Sequence, residues 1–214
     1  MQAPAVSAYV ERLRKGKPDA TPAEIVTKLE GRYLTAVTAS GAAVGSAAAI
    51  PGLGTLAAMS AVAGETVVFL ETTSLFVLAV AEVYGIPAAH KERRRALVLA
   101  VLVGDDSKHA VRDLVGPGRT GGGWIAESAA ALPLPAVSQL NNRLMKYFVK
   151  RYALKRGAIA FGKMLPMGIG AVVGGGGNRF MGRKIVSNAR KSFGPAPARW
   201  PVSLHILPSA STSN

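Results

Sequence analysis

Few residues in this sequence have the types and spacing that catalysis or metal binding requires. Of these, His109 has the most carboxylates at helical spacing. Asp105 lies four residues before His109 and Asp113 four residues after it, so the three share one face of a helix. That arrangement suits a metal site or a base oriented by a carboxylate. Lys108 and Arg112 interleave, and no second histidine follows at helical spacing. A surface i,i+4 pair therefore explains the pattern better.

The rest of the chain offers little material for catalysis. It has three histidines and no cysteine, and it lacks metalloprotease and nucleophile-elbow patterns. Gly168, Gly170 and Gly174 loosely match a dinucleotide loop, but no acidic residue follows to bind a ribose. We predict no catalytic residue, no metal and no cofactor. The sequence favours a non-enzymatic protein, although a hydrolase that uses Glu71 or Glu82 stays open.

Three glutamates interrupt an apolar run over residues 65–85. Glu65, Glu71 and Glu82 are six and eleven residues apart, so they cannot all share one narrow helical stripe, whereas Glu71 and Glu82 are nearly in phase. If this helix is central, at least one carboxylate is part-buried and needs a partner from the basic C-terminal half. The candidates for burial are Glu71 and Glu82. Burial frequencies favour the alternative, a narrow solvent-exposed face.

Positive charge is concentrated in the C-terminal half. The chain has 26 Lys and Arg against 12 Asp and Glu, a net charge of +14. Residues 1–100 contain ten basic against eight acidic residues, and residues 101–214 contain sixteen against four. Such one-signed charge predicts an anionic partner, and phosphate is common to membrane surfaces and nucleic acids. The alternative is a domain that its excess charge keeps soluble.

Two Gly- and Ala-rich segments carry the pattern for close helix packing. Thr21-Pro-Ala-Glu24 is a capping box that starts a helix at residue 22, which we expect to reach the Gly41 region. The uncharged run 33–64 then either forms two helices packed around a turn at residues 50–54 or inserts into a bilayer. Each segment joins a proline to small residues at four-residue spacing, a pattern that predicts close contact. The residues are Gly41, Gly45 and Pro51 in the first segment, and Pro166, Gly170, Gly174, Asn178 and Gly182 in the second.

Two basic helices are predicted near the C-terminal end. In the first, at residues 139–156, Arg143, Lys146 and Lys150 lie opposite an apolar arc. In the second, at residues 179–193, the basic side consists of Arg179, Arg183, Lys184, Arg190 and Lys191, and Phe180 is the exception to the amphipathic pattern. We expect residues 174–177, four consecutive glycines, to break or kink the preceding helix, with Asn178 as the N-cap of the second basic helix.

These elements predict an all-α fold, a single multi-helix bundle with two Gly/Ala-rich helical segments and flexible termini. A helix should end at Gly85, and another should run from His90 to Val103. We take residues 1–20 as an N-terminal arm or short helix, residues 21–193 as the helical domain and residues 194–214 as a mobile C-terminal tail. The N-terminus lacks the pattern of a signal peptide.

The glycine-rich motif resembles a known family. Residues 165–186, followed by Ala189 and Phe193, are similar to the C-terminal signature of the EcsC family. Ile50-Pro-Gly-Leu-Gly54, Glu82-Val-Tyr-Gly85 and residues 93–99 resemble that family in the same order, so the similarity spans about residues 31–193. The resemblance implies an α-helical bacterial protein associated with membranes. The activity of the family is not established, so no catalytic residue carries over.

Charge and resemblance together predict a protein at the cytoplasmic face of the cell membrane, peripheral or partly embedded. Its basic C-terminal helices would contact anionic lipid or a membrane complex. One alternative is a soluble helical domain that binds a hydrophobic or lipid-like ligand between the small-residue helices. Another is a basic nucleic-acid-binding protein, although the basic half lacks a recognisable motif and interleaved aromatic residues.

Overall fold

The structure is a computed structural model that describes residues 2–48, 55–86, 90–105, 107, 132–149 and 169–201. These ranges contain six helices and no β-strand, which confirms the all-α prediction. The helices are α1 (Gln2–Lys15), α2 (Pro22–Ala48), α3 (Thr55–Val83), α4 (Lys91–Val103), α5 (Leu134–Phe148) and α6 (Ile169–Phe193). The predictions at Asp113, Pro51, Lys150 and Pro166 lie outside the described residues, as does the interpretation of His109.

Helix α2 begins at the predicted capping box. The Thr21 backbone N–H donates to Glu24 Oε2 over 2.7 Å, and the Glu24 N–H donates to Thr21 Oγ1 over 3.3 Å. The hydrogen bond from the Thr21 backbone is the main reason that the pKa of Glu24 lies below its ordinary value. The helix continues past the Gly41 region to Ala48. Gly41 and Gly45 are buried within it, so helix packing offsets their low helix propensity.

Helix α6 runs antiparallel along α2, in the most extensive helix pairing of the described structure. Gly175 lies beside Ala42 near its start, and Gly182 lies beside Val37 and Leu34 further along. The two Gly/Ala-rich segments therefore pack against each other, and Asn178 and Gly182 are buried as predicted. Gly170 and Gly174 lie in the first turns of α6, for which the described structure gives only the backbone.

The predicted break at residues 174–177 is wrong, because α6 passes through them without interruption. Asn178 is consequently not an N-cap but a fully buried residue inside the helix. The physical reason lies in the tertiary contacts of α6. Close packing of the helix backbones offsets the cost of the glycines, and the Asn178 amide bonds to neighbouring helices instead of its own terminus.

Helix α3 also packs on α2. Tyr33 stacks on Phe76 with ring centres 4.6 Å apart, and its hydroxyl is 2.9 Å from Thr73 Oγ1. The helix ends at the predicted glycine, since Gly85 has a φ of 68° and the Ile86 N–H donates to the Ala81 carbonyl over 2.9 Å. Helix α4 ends similarly at Gly104, whose φ is 74°.

Helix α5 starts at Leu134, five residues before the predicted start at Gln139. Pro133 and Pro135 suggested a connecting segment, but proline is tolerated in the first turn of a helix, where its missing N–H costs nothing. The helix packs on α4, and Asn141 Nδ2 donates to the Glu92 backbone carbonyl over 3.1 Å and to Glu92 Oε2 over 2.7 Å.

Both chain ends contribute more to the fold than the predicted domain limits allow. Val6, Val10 and Leu13 of α1 are buried in the core, and α1 packs on α3. After α6, the Gly194 carbonyl accepts a 2.7 Å hydrogen bond from the Tyr84 hydroxyl, and Trp200 Nε1 donates to the Ala20 carbonyl over 3.0 Å. Residues 2–15 and 194–201 thus belong to the bundle, and residues 202–214 lie outside the described part.

Candidate functional site: the exposed basic face of α6

The outward side of α6 is basic from residue 179 to residue 191. The helix contains five Lys and Arg and no Asp or Glu. We use "basic face" for its exposed residues Arg179, Phe180, Arg183, Lys184, Ser187, Arg190 and Lys191. Phe180 is 72% exposed, more than any other large hydrophobic residue in the described structure. Arg179 precedes it, and Arg183 and Lys184 follow one helical turn later, so a large aromatic ring lies among three cations.

The buried side of α6 determines the orientation of the basic face. Ile185, Val186, Ala189 and Phe193 are buried, as the amphipathic pattern predicted. At Gly182 a Cβ atom would lie 2.9 Å from Val37 Cγ2, so only glycine allows the two backbones this approach. The close contact holds α6 in one rotation about its axis and directs Phe180 away from α2.

A buried polar contact joins three helices behind the basic face. Asn178 Nδ2 donates to the Val37 backbone carbonyl of α2 over 3.1 Å and to Glu65 Oε1 of α3. Asn178 is 0% exposed and Glu65 is 3% exposed. Asn178 Oδ1 has no hydrogen-bond partner among the residues that the structure describes. A buried carboxylate requires such donors, so this contact specifies the relative position of α2, α3 and α6.

Two ion pairs hold the C-terminal end of α6. Arg190 binds Glu30 of α2 through both Nε (2.8 Å) and Nη2 (2.5 Å), and this bidentate contact raises the pKa of Arg190. Burial, and secondly the Glu30 charge, raise the pKa of the nearby Tyr84 hydroxyl. Lys191 Nζ lies 3.1 Å from Asp105 Oδ2. Among the described residues Arg179 and Arg183 have no ion-pair partner, so uncompensated charge lies around Phe180.

The structure places the predicted anion-contact residues on two helices. Arg179, Arg183, Lys184, Arg190 and Lys191 are exposed on α6, although two of them already pair with carboxylates. The other predicted contacts, Arg143 and Lys146, are exposed on α5, near the exposed Tyr147 and Val149. Helix α5 packs mainly on α4 and α6 mainly on α2, so the two sets of cations lie on different helices of the bundle.

The predicted buried carboxylates were the wrong ones. Glu71 and Glu82 are exposed, whereas Glu65 and Glu30 are buried. The buried side of α3 is set by Phe69 and Thr73, and Glu65 lies one turn before Phe69 on that side. This spacing was visible in the sequence. The partners of the buried carboxylates were not, because Asn178 and Arg190 lie 113 and 160 residues away.

Helix α3 is also the one helix in the described residues with the length and composition to cross a bilayer, over residues 63–83. Half of that window is buried inside the bundle, and the core helix of a soluble protein has the same properties. The feature is weak support for membrane insertion. Of the uncharged run 33–64, residues 33–48 lie in α2 and residues 55–64 in α3, and these two helices pack on each other.

No family model, curated protein or solved structure matches this chain. The resemblance to the EcsC family therefore stays a prediction. Within the described ranges, no three His, Cys, Asp or Glu side chains are grouped so that they could hold a metal ion. The basic face is thus the most developed candidate for a functional surface in these residues.

Proposed function

We propose that this protein is a non-enzymatic helical protein that binds the anionic surface of a membrane through the basic face of α6. The observation that carries the proposal is the exposed Phe180 ring with Arg179, Arg183 and Lys184 around it. Cations that meet lipid phosphates, together with an aromatic or apolar side chain that enters the interface, are the two components of an interfacial helix.

The energies of these contacts are consistent with reversible attachment. Each Lys or Arg close to an anionic leaflet contributes about 1 kcal/mol, so Arg179 and Arg183 together contribute about 2 kcal/mol. Transfer of the phenylalanine ring out of water adds about 2 kcal/mol. The sum alone gives weak binding. A second contact through Arg143 and Lys146 of α5, and through the predicted contact residue Lys150, would strengthen it.

The exposed aromatic ring favours lipid over nucleic acid as the anionic partner. Nucleic-acid phosphates would engage the same cations with the same salt sensitivity. They would leave Phe180 in water, however, unless an unpaired base stacked on it. The cytoplasmic face of the cell membrane is the expected location, since its leaflet is the anionic one.

Vesicle flotation tests this proposal. We expect the protein to float with phosphatidylcholine vesicles that contain phosphatidylglycerol and not with pure phosphatidylcholine vesicles. The Arg179→Glu/Arg183→Glu variant should bind at least about tenfold more weakly, because four units of charge change at the surface. Arg12→Glu/Lys15→Glu on α1 changes the net charge equally and is the matched control, since both residues are exposed.

The outcomes separate the explanations. Loss of flotation in the α6 variant alone supports binding through the basic face. Equal losses in both variants would show that only net charge matters and would contradict the proposal. Equal recovery with both lipid mixtures would also contradict it. Displacement of bound vesicles by equimolar single-stranded DNA would favour the nucleic-acid alternative instead.

A further inference from the structure

A second surface feature is an apolar cleft between α1, α2 and α3. It has a volume of about 380 Å³, within the range of small-molecule sites. Leu75, which is 40% exposed, lies in its wall, and the buried Phe76 lies deeper. Most of its lining is aliphatic or aromatic, including Val6, Tyr9, Leu29, Ala36, Leu75 and Phe76. A cleft of this composition suits an apolar group rather than a sugar or a nucleotide.

One cation lies in the wall of this cleft. Arg32 Nη1 donates to the Tyr9 hydroxyl over 3.0 Å, and the guanidinium carbon lies 5.8 Å from the centre of the Tyr9 ring. Arg32 is exposed and forms no ion pair within the described part of the chain. A guanidinium has five N–H donors, so the bond to Tyr9 leaves most of them available for an anion.

We propose that the cleft binds a fatty acid, with the alkyl chain against Leu75 and Phe76 and the carboxylate on Arg32. A planar guanidinium matches the two oxygens of a carboxylate, and the Tyr9 hydroxyl holds it in place beside the apolar walls. A neutral apolar ligand would fill the cleft but leave the charge of Arg32 without a partner. A small anion without an alkyl chain would leave the apolar walls of the cleft exposed to water.

This site is independent of the proposed membrane contact. None of the residues that line the cleft belongs to α5 or α6. Failure of the vesicle experiment would therefore not remove the cleft, and failure of the cleft would leave the basic face unaffected. Fatty-acid binding can be measured in the basic-face variants, and vesicle binding can be measured in the cleft variants.

Calorimetric titration of the full chain with decanoate, below its micelle concentration, tests the inference. We expect saturable binding at one site. Arg32→Gln should weaken decanoate binding about tenfold or more, because a charge-assisted hydrogen bond is lost, but should leave the affinity for uncharged decanol unchanged. Ala36→Leu places a larger side chain on the exposed wall of the cleft and should weaken both ligands similarly.

Two controls complete the experiment. Arg32→Lys keeps the charge without the planar fork and should retain part of the decanoate affinity. Thermal unfolding of each variant, followed by circular dichroism, verifies that the bundle is intact. Absence of saturable decanoate binding would overturn the inference. So would an Arg32→Gln variant in which decanoate and decanol affinities fall equally, or an Ala36→Leu variant that binds both normally.

Discussion

At the scale of single residues, the buried pair of Asn178 and Glu65 is central to the account. The sequence marked Asn178 as the polar member of a small-residue stripe, which is correct. It suggested an N-cap because four glycines precede the asparagine, and nothing local shows that its amide reaches another helix. Glu65 could have been chosen from its spacing to Phe69, whereas its pairing with Asn178 depends on tertiary packing alone.

Replacing Asn178 should be costly because it removes one donor from the buried Glu65 carboxylate and one from the Val37 carbonyl. We expect Asn178→Ala to lower the free energy of unfolding by about 3 kcal/mol, measured by urea denaturation. Asn142→Ala is the matched control, because Asn142 is an exposed helical asparagine on α5, and its change should stay within about 0.5 kcal/mol.

A double-mutant cycle identifies the interaction. Glu65→Leu combined with Asn178→Leu should cost less than the sum of the two single changes, since either single change already removes the hydrogen bond that the two side chains share. Additive costs, or an Asn178→Ala variant as stable as Asn142→Ala, would contradict the assigned role of the pair.

At the scale of elements, the pairing of α2 with α6 determines where the basic face points. The two Gly/Ala-rich segments, the apolar side of α6 and its basic side all followed from residue spacing. The register between α2 and α6 did not follow from the spacing. Gly175, which does not belong to the predicted four-residue repeat, contacts Ala42. A helix has 3.6 residues per turn, so a strict repeat of four drifts away from one face, and small residues at spacings of three and four follow it better.

Two glycines in α6 provide a direct test of this packing. At Gly182 a Cβ atom would lie 2.9 Å from Val37, a β-branched residue that is 1% exposed, so the helices would have to separate. At Gly176 a Cβ atom would meet nothing within 4 Å. We expect Gly176→Ala to stabilise the protein by about 1 kcal/mol through helix propensity and Gly182→Ala to destabilise it.

Urea midpoints of the two variants make the comparison, and each substitution adds a single methyl group to the same helix. If Gly182→Ala were as stabilising as Gly176→Ala, the close approach of α2 and α6 would be wrong. The orientation of the basic face would then lose its support.

At the scale of the whole molecule, the fold class was predictable and the limits of the domain were not. The capping box at Glu24 and the glycines at 85 and 104 are local signals, and they marked one end each of α2, α3 and α4. The roles of the termini depend on distant contacts. Proline at 195 and 197 suggested a loose tail, but Trp200 reaches the Ala20 carbonyl, and its ring lies 4.0 Å from the Arg14 guanidinium.

The charge distribution likewise belongs to the whole chain. A net charge of +14 predicted an anionic partner, and composition alone could not say which cations are available. The structure pairs Arg190 and Lys191 with carboxylates and leaves Arg179 and Arg183 unpaired within its described part, beside an exposed aromatic ring. We propose that these two arginines contact an anionic membrane surface, and a label on the basic face tests this directly.

The absence of cysteine from the chain makes a site-specific probe straightforward. Ser187 is exposed on the basic face, seven residues or about two turns after Phe180, so Ser187→Cys keeps the ring and every cation. Ala8→Cys, at an exposed position on α1, is the matched control. Each variant would carry an environment-sensitive nitrobenzoxadiazole label and be mixed with vesicles containing phosphatidylglycerol.

We predict that the label at position 187 shifts its emission to the blue and becomes protected from iodide quenching when anionic vesicles are added. The label at position 8 should remain accessible to iodide, and high salt should reverse the change at position 187. Equal responses at the two positions, or no response at position 187 under conditions in which the protein floats with the vesicles, would contradict membrane binding through the basic face of α6.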